Sequence, residues 1–203
     1  TAIVPPIYTY LLAFLFNIFG VHSIAAGYAA YALNVVFSTL IVWPLARLGS
    51  AIDSPRLGIL AALLWALYPL TGFSDVLLVW DTSLFALLVA LSVLATVLMR
   101  TRTDLRSWSG YGFLIGAMVV TETVGVIVAG CAVIWLFFFS QGPRRYQLAA
   151  VLIMGAMLLP WSIRNTIVFG QPMFLRSNLG LELYESINYN DLESVEAEKP
   201  IAP

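Results

Sequence analysis

Residues 109–140 read SGYGFLIGAMVVTETVGVIVAGCAVIWLFFFS, and the way they fold decides the architecture of the chain. As one helix they would run about 48 Å at 1.5 Å per residue, against a bilayer hydrocarbon core of roughly 30 Å. The polar triplet Thr121-Glu122-Thr123 sits near the middle of the stretch. The reading that fits is two shorter helices meeting at that triplet.

The distribution of arginine points the same way. Seven of the ten basic residues fall in three connections: Arg47 and Arg56; Arg100, Arg102 and Arg106; Arg144 and Arg145. The positive-inside rule places all three connections on the cytoplasmic side, which demands an even number of crossings between neighbours. The apolar runs Leu57–Leu70 and Val76–Met99 supply two crossings between the first and second connections. A hairpin broken at Glu122 supplies two between the second and third, whereas an unsplit helix would throw Arg144 and Arg145 to the opposite side. With Ile24–Ala46 before these and Tyr146–Ile163 after them, six crossings follow.

Composition agrees. Hydrophobic residues make up 61% of the 203 positions and charged residues 10%, where a soluble domain carries roughly a quarter charged. A single soluble core of this size could not hide so much apolar surface. In lipid every backbone N–H must be paired inside its own segment, so the runs are helical. The net charge of −1 gives no footprint for nucleic acid. Cys131, the single cysteine, lies in an apolar run and reads as a buried, inert thiol, and the single His22 argues against a histidine-based metal site. The fold class expected is therefore an all-α polytopic transmembrane bundle of about six spans. Its organisation is 1–23 as an outer-face juxtamembrane segment, 24–166 as the bundle, and 167–203 as an extracytoplasmic loop or the start of a further segment. Both ends of the chain read as cut.

Within the first segment, Pro6–Phe19 is too short to span. Pro5 and Pro6 suit a helix start and Gly20 suits its end. Tyr8, Tyr10, Phe14, Phe16 and Phe19 make it aromatic, as helices at the headgroup level are. Trp43-Pro44 marks a kink in the first span. Asn34 and Ser38, one turn apart in that span, read as residues that hydrogen-bond to neighbouring helices.

No soluble-enzyme motif is present. The polar chemistry collects instead at the outer ends of the helices. Asp75 and Asp81 flank Trp80; Asp81 in Asp81-Thr82-Ser83 is either an N-cap or a contact for substrate hydroxyls. Glu122 is either a solvated turn residue or a substrate contact. Arg164-Asn165 follows Pro160-Trp161 at the end of the last span. Arg164 either snorkels to headgroups or binds a phosphate, to which a guanidinium is matched. Ionisable residues at mid-span, the mark of a coupled transporter, are missing.

Two stretches carry a family resemblance. Pro5-Pro6-Ile7-Tyr8-Thr9-Tyr10-Leu11-Leu12 with Phe16 and Phe19-Gly20, and Leu159-Pro160-Trp161-Ser162-Ile163-Arg164-Asn165 with Val168-Phe169-Gly170, resemble bacterial GT-C glycosyltransferases of family 39. Those are similar to protein O-mannosyltransferases and to the aminoarabinose transferase of lipid A. Trp80-Asp81-Thr82-Ser83-Leu84, Tyr111-Gly112-Phe113-Leu114-Ile115-Gly116 and Leu175–Tyr184 fit in the same order.

The resemblance implies an integral-membrane enzyme of the bacterial inner membrane, active on the extracytoplasmic face. It would transfer a sugar from a polyprenyl-phosphate carrier to a glycan, lipid or protein acceptor. The family's catalytic Asp precedes the Pro-Pro motif, so no catalytic residue is assigned within this chain, and the segment alone is expected to be inactive. Arg164 and Asn165 are the expected lipid-phosphate ligands. Tyr8, Tyr10, Asp75, Asp81 and Glu122 are the expected lining of the substrate cavity. No metal ligand set and no required cofactor are assigned; a divalent ion on these carboxylates is the one cofactor the pattern admits. The family's continuation after the Leu-Tyr pair is absent here, where Tyr184 is followed by Glu185-Ser186-Ile187-Asn188. The alternative reading is a non-catalytic membrane subunit or a flippase-like carrier-binding protein.

Overall fold

The computed structural model describes residues 6–21, 23–69, 72–73, 77–170 and 172. All regular structure among them is helical: α1 Pro6–Phe19, α2 Ile24–Leu40, α3 Val42–Ala51, α4 Pro55–Leu67, α5 Thr82–Met99, α6 Leu105–Thr121, α7 Gly125–Phe139 and α8 Arg144–Phe169. The all-α bundle expected from the sequence is what forms. His22, Asp75 and nearly all of 171–203 lie outside the described residues.

The 109–140 stretch breaks where expected. α6 ends at Thr121, Glu122 is extended (φ −149°, ψ 128°), and α7 starts at Gly125. The turn is closed by the Gly125 N–H donating to the Glu122 carbonyl at 2.9 Å. α1 also has the bounds read from the sequence. Gly20, at φ +87°, ends it in the left-handed conformation that glycine adopts without strain. Ser23 then caps α2, its Oγ accepting from the Ala26 N–H at 3.0 Å.

The expected kink near Trp43-Pro44 falls at Ile41, between α2 and α3. Pro44 cannot donate to the Leu40 carbonyl and its ring crowds that oxygen, so α2 stops at Leu40. α4 stops at Leu67 because Tyr68 precedes Pro69 and is held extended (φ −74°, ψ 110°).

Four expectations need correction. The span read as Val76–Met99 is interrupted: residues 78–80 are non-helical, and α5 starts only at Thr82. Asp81 occupies the N-cap position with αR backbone (φ −78°, ψ −1°), and its carboxylate makes no capping bond. An N-cap carboxylate reaches its target amide from the β region, which Asp81 does not adopt. The last helix was expected to finish near Pro160-Trp161, but α8 continues through Pro160 to Phe169 and stops at Gly170, φ +68°. A membrane helix tolerates the one lost backbone bond. Arg164 and Asn165 are thus on a helix, not on a tail. Finally, Cys131 is exposed, since α7 is apolar on all faces and presents that side outward.

Of the six expected crossings, three have the length and composition to span a bilayer: the α2–α3 run Ile24–Ala51, α5 and α8. α4, α6 and α7 have 13, 17 and 15 residues. At 1.5 Å per residue they run about 20–26 Å, so they cross only where the bilayer thins or the helix ends carry the chain into the headgroups.

Close approach of backbones holds the bundle together. Without a hydrophobic drive between helices in lipid, small residues at the contact supply the packing. A Cβ at Gly112 of α6 would overlap the Ala150 backbone of α8, and one at Gly116 would lie 2.7 Å from the Met157 sulfur. Gly49 and Gly58 make the same kind of contact across the α3–α4 hairpin. Trp108, Tyr111, Ile115, Met118 and Val119 of α6 are almost fully buried and form the centre of the core, with Met99, Ala129, Leu136 and Ala150 around them. Most other large apolar side chains face outward. Leu57, Leu60, Leu64 and Leu67 of α4 and Leu148, Leu152 and Leu159 of α8 are each more than half exposed, a surface suited to lipid and not to water.

Candidate functional site at one end of the bundle

Contacts between helices fix which ends lie together. α6 meets α8 at Gly112–Ala150 and again at Gly116–Met154, so the two run parallel. The break at Glu122 therefore sits at the same end as Trp161–Asn165. Phe85, one turn into α5, lies against Gly125, which brings Asp81 to that end as well. At the other end the Gln141 N–H donates to the Arg100 carbonyl at 2.8 Å, and the Trp108 indole N–H donates to the Arg102 carbonyl at 3.0 Å. The two arginine-bearing connections thus share one end, and the candidate residues share the opposite one.

At that opposite end α1 folds against the bundle. The Tyr8 hydroxyl, buried, donates to Asn34 Oδ1 at 2.8 Å, and Asn34 Nδ2 donates to the Leu78 carbonyl at 3.1 Å. One buried asparagine so ties α1, α2 and the non-helical run into α5 to one another. Burial pushes the Tyr8 phenol above its ordinary value; the Asn34 bond offsets part of this, and the charge of Asp81 adds to it. The phenol stays protonated and remains a donor. Asp81 is 5% exposed, so its carboxylate lies in the same enclosed region as Tyr8.

On α8 the Arg164 guanidinium stacks on the Trp161 ring, 4.7 Å from its centroid, and donates to Asn165 Oδ1 at 3.0 Å. Asn165 is fully buried while Arg164 is exposed. A guanidinium has five N–H donors, and the ring and the amide orient this one at the helix end. Glu122 is half-buried at the α6–α7 turn, and beside it the buried Thr123 hydroxyl has no hydrogen-bond partner.

The sequence-based candidates therefore divide. Tyr8 and Asp81 come together; Glu122, Arg164 and Asn165 lie at the same end. Tyr10 does not join them, being 67% exposed, because helical spacing turns it about 200° from Tyr8. Asp75 lies outside the described residues. Among the described residues no three His, Cys, Asp or Glu side chains converge as a metal site would require. Asn34 is the residue the sequence reading undervalued. The interhelical hydrogen bonding expected of it is made, to Tyr8 of α1 and to the Leu78 carbonyl, while at Ser38 the backbone carbonyl accepts from the Trp65 indole of α4 at 3.0 Å. A polar amide on an otherwise apolar helix was the available signal.

The family model of the dolichyl-phosphate-mannose-protein mannosyltransferases matches residues 4–163. The chain belongs to that family. This mannosyltransferase family consists of membrane glycosyltransferases of the GT-C type, and the all-helical bundle with its outward apolar surface is the body of such a membrane protein. The match takes in Tyr8, Asn34, Asp81 and Glu122 and stops one residue before Arg164. No curated protein and no solved structure matches the chain.

Proposed function

We propose that the full-length protein transfers a sugar from a polyprenyl-phosphate carrier in a bacterial inner membrane to an acceptor on the extracytoplasmic side. Transfer takes place at the bundle end that carries Tyr8, Asp81, Glu122 and Arg164. The observation that carries this reading is the Arg164 guanidinium, stacked on Trp161 and bonded to the buried Asn165 at a helix end. A carrier phosphate, whose chain must stay in lipid while its charge cannot, would sit at that depth. There the arginine stabilises the phosphate as it leaves, and it does most when the charge is greatest, in the transition state. Asp81 and Glu122 are acceptors for hydroxyls of sugar or acceptor, and the Tyr8–Asn34 pair holds α1 as the wall beside them. The general base that deprotonates the acceptor is assigned to a carboxylate preceding Pro5-Pro6 in the full-length protein.

Membranes carrying the full open reading frame, supplied with a radiolabelled polyprenyl-phosphate sugar, should release free polyprenyl phosphate and label an envelope acceptor. Carrier binding without turnover, in the presence of that upstream segment, would convert the reading to a carrier-binding subunit.

A further inference from the structure

A second feature lies at the arginine end, away from the site described above. α7 and α8 leave the Ser140–Pro143 connection side by side and then touch little, with α6 behind both. The gap is a groove of 380 Å³. Its walls are apolar: Ile115, Leu136, Phe137, Leu148, Val151 and Met154. Arg144 lines its mouth, and Arg145 is the next residue along α8. Arg144 sits 4.2 Å from the Phe137 ring centroid and donates to the Phe137 carbonyl and, at 2.9 Å, to Gln147 Oε1. Arg145 lies over the Tyr146 ring and donates to its hydroxyl at 3.2 Å. The Gln141–Arg100 bond adds Arg100 and Arg102 to this end. Asp104 is the carboxylate of these two connections, and it already accepts from the Ser107 N–H at 2.8 Å.

We propose that this groove holds one acyl chain of an anionic phospholipid, with its phosphate on Arg144 and Arg145. Depth selects the occupant. From Arg144 to Met154 the groove follows α8 for ten residues, roughly 15 Å, which is about half of the hydrocarbon core. It is one leaflet deep, the reach of an acyl chain whose headgroup stays at the surface and far short of a polyprenyl chain. Charge selects the headgroup, because a zwitterionic lipid would bring its own cation to the arginines.

The test is native mass spectrometry of the full-length protein released from nanodiscs of equal phosphatidylglycerol and phosphatidylcholine. One phosphatidylglycerol should be retained, enriched about fivefold or more, since a single arginine at an anionic surface contributes about that factor. Arg144→Ala with Arg145→Ala should remove the enrichment. Val151→Trp, which fills the groove and leaves the charges in place, should abolish retention. Equal retention of both lipids by the unaltered protein would overturn the proposal. So would enrichment that the tryptophan does not disturb, which would be surface charge alone, or displacement of phosphatidylglycerol by equimolar polyprenyl phosphate.

Discussion

Arg164 and Asn34 are the two residues through which the proposed site is most directly tested. A charge-assisted hydrogen bond contributes about 1.5–3 kcal/mol, so Arg164→Ala should slow transfer by roughly 10- to 150-fold at saturating carrier. Lysine at the same position should restore part of the loss, because it keeps the charge and loses the planar fork. Activity of the alanine variant within twofold of wild type would leave Arg164 as a headgroup anchor only. Asn34 is 1% exposed and bonded on both sides. Asn34→Leu strands the Tyr8 hydroxyl and the Leu78 carbonyl, and should lower stability by about 1–3 kcal/mol, read as a lower Tm in detergent. Adding Tyr8→Phe should recover part of that loss, since the orphaned hydroxyl is then gone. Equal and additive effects would show that the bond carries nothing.

At the scale of elements, the α6–α8 pair depends on glycine at one position and tolerates change at its neighbour. Gly112 has no room for a Cβ against Ala150, whereas Gly110, two residues earlier, has nothing within 4 Å. Gly112→Val should therefore cost about 3 kcal/mol or more by overpacking, and Gly110→Ala should be neutral or stabilising by up to about 1 kcal/mol through helix propensity. Thermal melts of the two variants side by side separate packing from propensity. The start of α6 supplies a pH-dependent element. Asp104 accepts from the Ser107 N–H, which holds its carboxyl below the ordinary value of 3.8. Because the folded value lies below the unfolded one, the cap is in full force above pH 3.8 and is lost as pH falls through the lowered value. Hydrogen exchange at the first turn of α6 should accelerate over that window in the native protein. Asp104→Asn, which caps without titrating, should flatten the profile.

For the whole molecule, the prediction concerns the two sides of the membrane. The Gln141–Arg100 bond places the Arg100–Arg106 and Arg144–Arg145 connections at one end, and the positive-inside rule makes that end cytoplasmic. In a Cys131→Ser background, single cysteines at the exposed Thr103 and Gln141 should resist a membrane-impermeant maleimide in whole cells, and one at the exposed Val124 should react. Labelling of position 103 or 141 from outside would invert the bundle and move the proposed site to the cytoplasm.

Several features were legible in the sequence because they rest on local rules. The helix break at Glu122, the bounds of α1 and the kink before Pro44 follow from length, from proline's missing N–H and from glycine's tolerance of positive φ. Composition and arginine spacing sufficed for a membrane bundle with its basic connections on one side. Tertiary structure alone decided which polar residues meet. Tyr8 and Tyr10 read alike in the chain, yet only Tyr8 is buried, against Asn34. Arg164 read as following the end of the last span but stands within α8, because a proline inside a bundle does not have to end a helix. The lateral groove at Arg144 depends on how far α7 and α8 diverge. Periodicity and propensity act over a few residues, whereas these outcomes depend on contacts between segments tens of residues apart, and pattern along a single chain carries no record of those.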